Sequence, residues 1–276
     1  MTSIDTGSDD LLARIDGHVG VITFNRPERR NALSDAMYVG FDVALQSFRE
    51  DDAVRVVLVT GNGGAFCAGG DVKGMHERNS AAAGGAAPGE RVDPVALIRA
   101  NQRTVSLALH EFPCPVVAAL PGPAAGAGLS IALAADIRLA ARRALLVTAF
   151  ADVGASGDFG GSWFLTQLVG PAKAKELYFT SPRLSADEAL VLGMVNQVLP
   201  DDGFDAAALE WCHALAARAP LALARMKQNI NRALTVDLAE ALDAEAPEMI
   251  ASMRTADHRE AAAAFVEKRR PTFTGA

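Results

Sequence analysis

Short apolar runs alternate with amphipathic stretches along the first part of the chain. Val19 to Phe24 (VGVITF) is a β-branched and aromatic run ended by Asn25-Arg26-Pro27, and Ala32 to Arg49 carries apolar residues at helical spacing. Val54 to Thr60 is more continuously apolar, as expected of a strand covered on both faces. Gly61 to Gly70 (GNGGAFCAGG) is a turn-rich loop that leads to Asp71, a predicted helix start. The design then repeats. Val95 to Glu111 has a helical pattern, Pro115 to Leu120 is a third apolar strand, and Pro121-Gly122-Pro123 turns the chain into Gly126 to Ala135 (GAGLSIALAA), a buried helix of small residues. Ile137 to Ala140 and Leu145 to Thr148 read as further short strands. Helices then dominate: Ser162 to Val169, Ala172 to Thr180, Ala186 to Leu192, Asp205 to Arg218 and Leu221 to Leu234, with a capping box at Ser185-x-x-Glu188.

This order predicts an α/β core over residues 1–200 followed by a helical region over 201–276. No segment recurs at a fixed period. His76 to Pro94, with small residues, tandem glycines and two prolines, reads as a mobile flap.

Composition narrows the function. A chain of 276 residues buries roughly three quarters of its unfolded surface, so it needs no disulfide or structural metal. Cys67, Cys114 and Cys212 are far apart and match no zinc spacing, which fits a reduced, cytoplasmic protein with no metal. A formal charge of −7 argues against a nucleic-acid surface, so an anionic ligand must be met by local cations. The acidic start lacks the apolar core of a secretory signal, and no run of membrane-spanning length follows.

Candidate chemistry gathers in two loops of one design, Val54 to Asp71 and Pro115 to Ser130. In each, an apolar strand runs into a glycine-rich turn that opens a helix, where unpaired N–H groups and the positive end of the helix dipole favour developing negative charge. Two such loops face to face make an oxyanion hole. Gly126-Ala-Gly128-Leu-Ser130-Ile131 is a partial G-x-G-x-x-G, but isoleucine stands where close helix packing wants Gly or Ala. Gly128-Leu-Ser130-Ile-Ala132 nearly matches a nucleophile elbow, with His213 and His258 downstream, which leaves a serine hydrolase as an alternative.

Asn25-Arg-Pro-Glu-Arg-Arg-Asn31-Ala-Leu33, Ala65-Phe-Cys-Ala-Gly-Gly-Asp71-Val-Lys73 and Gly126-Ala-Gly128-Leu-Ser-Ile-Ala-Leu-Ala-Ala-Asp136 together resemble the signature segments of the crotonase, or enoyl-CoA hydratase/isomerase, superfamily. The resemblance continues through Gly160-Gly161, Leu192-Gly-Met-Val-Asn196 and Phe265-Val-Glu-Lys268. It implies a ββα superhelix, an acyl-coenzyme A thioester as substrate, no separate cofactor, and a homotrimer or a dimer of trimers. Carried over by position, it places the thioester oxygen on the N–H groups of Gly70 and Ala127, tolerable at Ala127 if φ there is negative. The carbonyl of Ala68 and the segment from Arg29 to Ala32 would lie near the adenine and pantetheine, with Phe265 and Lys268 closing over the nucleotide, in some arrangements from a neighbouring subunit. Asp71 falls within the same binding segments, while by itself it reads as a capping or backbone-bonding residue, as does Asp136.

The departures bear on the reaction. Ser130 and Phe150 stand where hydratases of the family keep two glutamates, and neither side chain titrates usefully near neutral pH. Asp158 replaces them. The segment Ala149-Phe150-x-x-x-Gly154-x-x-x-Asp158-x-Gly160-Gly161 resembles that of the family's single-aspartate isomerases, among them the ring-expanding isomerase of phenylacetate breakdown. One carboxylate suffices for a 1,3-shift of a double bond, because one base reaches both carbons. Phe150, Phe159 and Phe164 are expected to wall the pocket and raise the carboxyl's pKa. The other reading of Asp158 is an N-cap. The remaining alternatives are a hydratase using Asp158 or Asp152, an aspartate-nucleophile dehalogenase or thioesterase, and a non-catalytic acyl-CoA binder. Ser130 either bonds substrate or fills space, and His76 and Glu77 sit at the flap.

Overall fold

The computed structural model describes residues 1–71 and 93–276. His76, Glu77 and nearly all of the expected flap lie outside the described residues, as does any helix following Asp71. The main sheet has seven strands, β1 (Thr2–Ile4), β2 (Leu11–Asp16), β3 (Val19–Phe24), β4 (Val56–Gly61), β5 (Val116–Leu120), β7 (Ile137–Ala141) and β10 (Gln197–Leu199), in that order across the sheet. A smaller sheet holds β6 (Ala124–Ala125), β8 (Leu145–Val147) and β9 (Leu184–Ser185). The β1–β2–β3 pairs are antiparallel, and from β3 to β10 all pairs are parallel.

Continuous apolarity marks the parallel strands because both faces are covered. Val57, Val59, Val116 and Ala118 face a core shared with α1 (Asp35–Glu50), while Val56, Leu58, Val117 and Ala119 face Phe204, Ala208, Cys212 and Ala216. Those last four lie on the helix Phe204–Ala216, so the sheet is sandwiched. Single β-bridges from Leu33 to Gly70 and from Cys67 to Ala124 continue the small sheet toward the earlier turns. Successive passes of the chain therefore each contribute a long strand, a short extended piece and a helix. This structural repeat leaves no periodic sequence because each pass keeps only its geometry.

Several elements differ from expectation. β1 and β2, which the acidic start did not suggest, pair with each other and with β3. Helix α1 starts at Asp35, not Ala32, because the Ser34 hydroxyl caps it by accepting from the Met37 N–H. The helix expected over Val95 to Glu111 is α2 (Pro94–Gln102), a π-helical turn (Arg103–Leu107) and α3 (Ala108–His110). The helix expected from Gly126 is α4 (Ala127–Ala134), buried at all eight positions. α5 (Gly161–Thr180) is broken where expected, by Gly170 at φ 77° and the following Pro171. The capping box at Ser185 and Glu188 is formed in both directions. Beyond β10 come Phe204–Ala216, Pro220–Ala233, Leu238–Met253 and Ala256–Glu267, the last two without individual precedent in the sequence pattern. Among the described residues no helix is long and apolar enough to cross a membrane.

Candidate active site

The two glycine-rich loops meet. The Ala125 N–H donates to the Cys67 carbonyl at 2.9 Å, and the Gly126 N–H donates to Val147 at 3.1 Å, pinning the second loop between the first and β8. Gly126 adopts φ 53° and ψ −125°, a conformation closed to side-chain-bearing residues, and this turn starts α4 at Ala127. A Cβ at Gly69 would lie 3.1 Å from the Ala127 nitrogen, and one at Gly128 would lie 2.3 Å from the Cys67 carbonyl oxygen. The backbones touch at positions that only glycine permits. Ala127 is absent from the left-handed residues, which satisfies the condition placed on its φ. Among the described residues neither the Gly70 nor the Ala127 N–H has an acceptor, so both are available to a ligand oxygen.

The rim of the first loop is built by Asn31, inside the segment expected near the adenine and pantetheine, and by Arg26, to which the sequence reading gave no role. Asn31, fully buried and left-handed at φ 58°, donates to the carbonyls of Asn62, Ala65 and Phe66 and accepts from the Arg26 N–H. Arg26 donates to the Ala32 carbonyl and lies 3.6 Å from both Asp10 and Asp71. The Ala68 N–H donates to Arg30, and Leu33 bridges Gly70. Arg29, Ala32, Ala68 and Asp71 thus surround one loop, with Arg29 and Ala68 exposed.

Asp158 is half-buried, and its Oδ1 accepts from the Gln102 amide at 2.7 Å and the Phe159 N–H at 2.7 Å. No described residue donates to Oδ2. The helix ahead is capped by the backbone of Gly160 without a side-chain bond, so Asp158 is not its N-cap. Phe159 is held left-handed at φ 50°, a costly conformation for a bulky residue, and stacks on Tyr38 with ring centroids 5.9 Å apart. Tyr178 packs against the residue before Asp158: a Cβ at Gly157 would lie 3.1 Å from its ring. Burial, with the charge of Asp158 adding, raises the Tyr38 hydroxyl well above its ordinary range. Burial likewise pushes the Tyr178 hydroxyl up to about 12, and again the Asp158 charge adds. The chain's two tyrosines both flank Asp158 and stay protonated.

Aromatic rings join this side to the loops. Phe150, 8% exposed, stacks on Tyr178 at 5.8 Å and lies 3.9 Å from a Cβ built at Gly126. Tyr38 also lies near Cys67 of the first loop, whose thiol is pushed up to about 12 by burial and stays neutral. Phe159 and Phe164 line a cavity of about 390 Å³ together with Gln102, whereas Phe150 is not in its wall. Gln102, Tyr38 and Tyr178 had no role in the sequence reading.

Other candidates fall elsewhere. Ser130 is 2% exposed, its hydroxyl 3.2 Å from the Gly126 carbonyl and bonded to Tyr178, so it sits inside the wall. His213 pairs with Asp16 at 3.5 Å and His258 lies on the last helix, so neither is seen to form a serine triad with Ser130 among the described residues. Asp152 is exposed in a 3-10 turn. Asp136 accepts from the Val116 N–H and pairs with Lys227 at 2.8 Å, a structural role. Phe265 is 85% exposed on the last helix, and Lys268, also exposed, ends it left-handed.

Residues 14 to 276 match the family described as enoyl-CoA hydratase/isomerase. The chain is 37% identical over 265 residues to a 1,2-epoxyphenylacetyl-CoA isomerase of Escherichia coli (strain K12), covering 96% of this chain and 98% of that relative. It is 34% identical over 263 residues to a short-chain-enoyl-CoA hydratase of Clostridium acetobutylicum, covering 95% and 96%. An enoyl-CoA hydratase structure from Polaromonas sp. JS666 matches with a TM-score of 0.87 at 34% identity, over 96% of this chain and 99% of that one. Matched almost from end to end in sequence and in fold, this chain belongs to the enoyl-CoA hydratase/isomerase family.

Proposed function

We propose that the protein shifts the double bond of an enoyl-CoA thioester, with Asp158 as its only acid/base. The thioester oxygen accepts from the Gly70 and Ala127 N–H groups. Asp158 takes a proton from the carbon next to the carbonyl of a 3-enoyl thioester. The electron pair delocalises onto the thioester oxygen, where two prepositioned donors stabilise it. The same carboxyl then returns the proton two carbons further on, leaving a 2-enoyl thioester of unchanged composition. What supports this reading is that one molecule holds two backbone donors unpartnered among the described residues and one half-buried carboxylate, joined through the Tyr178–Phe150 stack beside Gly126, while Ser130 and Phe150 are buried.

Coenzyme A enters as part of the substrate, and no separate cofactor is required. Its nucleotide lies along the Arg29, Ala32, Ala68 and Asp71 rim, closed by Phe265 and Lys268, whose exposure suits a neighbouring subunit's site. Met226, Ile230, Leu238, Leu242 and Met249, each more than half exposed, supply an apolar surface for a trimer or a pair of trimers. The three buried free cysteines suit a reducing, cytoplasmic setting.

A panel of 2-enoyl, 3-enoyl and aryl-substituted enoyl-CoA thioesters, read by mass and double-bond position, tests the proposal. The expected product has the substrate's mass with its double bond moved. A product heavier by one water establishes a hydratase, a covalent aspartyl adduct establishes nucleophilic chemistry, and tight binding without turnover establishes a binding protein.

A further inference from the structure

The peptide units behind the two proposed oxyanion donors differ in what holds their carbonyls. The Gly70 N–H shares its peptide with the Gly69 carbonyl, which accepts from the Leu33 N–H at 2.8 Å. The Ala127 N–H shares its peptide with the Gly126 carbonyl, which accepts from the Ser130 N–H at 3.0 Å and again from the Ser130 Oγ at 3.2 Å. The first carbonyl is held by backbone, the second by backbone and a side chain together. A hydrogen bond accepted at a peptide oxygen draws electron density from the nitrogen across the same bond, so the N–H becomes a stronger donor. Bonds in such a chain strengthen one another by roughly 10–30% each. A peptide carries no charge to alter, but its dipole answers to what its carbonyl accepts.

The surroundings are shaped around that hydroxyl. Ser130 is 2% exposed within α4, so water does not compete for its proton. Tyr178, on α5, is hydrogen-bonded with it. Because the single Ser130 hydroxyl proton goes to Gly126, Tyr178 is the donor of that second bond, and burial keeps its proton in place. The Tyr178 ring is held by its stack on Phe150 at 5.8 Å. A Cβ at Gly161 would overlap the Ser130 Oγ and lie 2.6 Å from the Tyr178 hydroxyl oxygen. Gly161 has no positive φ that would call for glycine, so it is the room taken by two converging hydroxyls that excludes a side chain there. A serine bonded four residues back in a helix ordinarily satisfies only itself. Here a tyrosine stands behind it, and a glycine on a neighbouring helix makes space for both.

We propose that Ser130 and Tyr178 are positioning residues for the oxyanion hole: Tyr178 donates to Ser130, Ser130 donates to the Gly126 carbonyl, and the peptide so polarised binds the thioester oxygen more strongly through the Ala127 N–H. Both act through the peptide and not by contact with substrate. This rests on the reading of Ala127 as an oxyanion donor. Isotope-edited infrared spectra of butanoyl-CoA, labelled with heavy carbon at its thioester carbonyl, read the donors directly, and this saturated ester has no double bond to move. Bound to the wild-type protein, its carbonyl band is expected at lower wavenumber than in water. Ser130→Ala is expected to shrink that displacement by about a tenth to a third, and Tyr178→Phe, which leaves the Ser130 bond in place, by a smaller amount, both with melting temperatures close to that of wild type. An unchanged displacement in either folded variant overturns the inference while leaving the oxyanion hole standing. Tyr178→Phe keeps the ring and its stack on Phe150, so it decides alone if Ser130→Ala does not fold. A wild-type band no lower than in water, or no bound ester, removes the oxyanion hole and this inference together.

Discussion

The two sides of the site are built from different material. The side proposed as the oxyanion hole is backbone: Gly69, Gly126 and Gly128 let two loops touch, and its proposed donors are peptide N–H groups. The Asp158 side is made of side chains drawn from distant parts of the chain: Tyr38 from α1, Gln102 from the end of α2, and Tyr178 from α5. Backbone donors are fixed by local conformation and cannot be tuned by charge. The carboxylate is oriented by neighbours that can each be changed alone. A site with the proposed chemistry, stabilising charge at one atom and moving a proton at others, gains from this division, because rigidity serves the first task and adjustable surroundings serve the second.

The difference sets the size of the expected effects. The largest falls on the backbone side. Gly128→Ala puts a methyl 2.3 Å from the Cys67 carbonyl oxygen and 2.7 Å from its Cβ. The loops must part, at about 2–4 kcal/mol of stability and most of the activity, which thermal melts and an isomerase assay would read. On the side-chain side, Gln102→Leu removes one donor from Asp158 and leaves the fold. Its expected signature is about a tenfold lower kcat at little-changed KM, with stability within about 1 kcal/mol of wild type. If Gln102→Leu unfolded the protein as Gly128→Ala does, the division between the two sides would be lost.

The smallest effect belongs to the edge of the aromatic wall. Burial holds the His110 pKa below its ordinary 6.5, with Lys227 assisting and Asp136 and Glu111 opposing. As pH falls through about 6.5 the unfolded chain binds a proton that the folded protein resists, so stability declines toward acid. His110→Phe removes this contribution, and its melting temperature is expected to fall less than that of wild type between about pH 7 and pH 5.

What the sequence disclosed follows the same line. Both loops and α4 were legible because glycine runs and small apolar residues announce themselves locally. Asp158 was singled out by a motif of short span. Gln102 was not, because its bond to Asp158 crosses 56 residues and a glutamine ending a helix has no local signature. The π-helical turn was hidden by a pattern indistinguishable from α-helix. β1 and β2 escaped because their short, partly charged segments gain strand identity only by pairing with β3. Tyr38 and Tyr178 lie 140 positions apart, and only the folded chain shows that they enclose one carboxylate.

The proposed mechanism has one carboxylate carry both proton transfers while two backbone donors hold the thioester oxygen. Asp158→Asn keeps the side chain's shape and the Gln102 neighbour while removing the base. Measured on a 3-enoyl-CoA thioester, the variant is expected to lose about 10²–10⁴-fold in kcat while retaining its melting temperature and its affinity for a saturated acyl-CoA. Full activity in a folded Asp158→Asn variant would contradict the account.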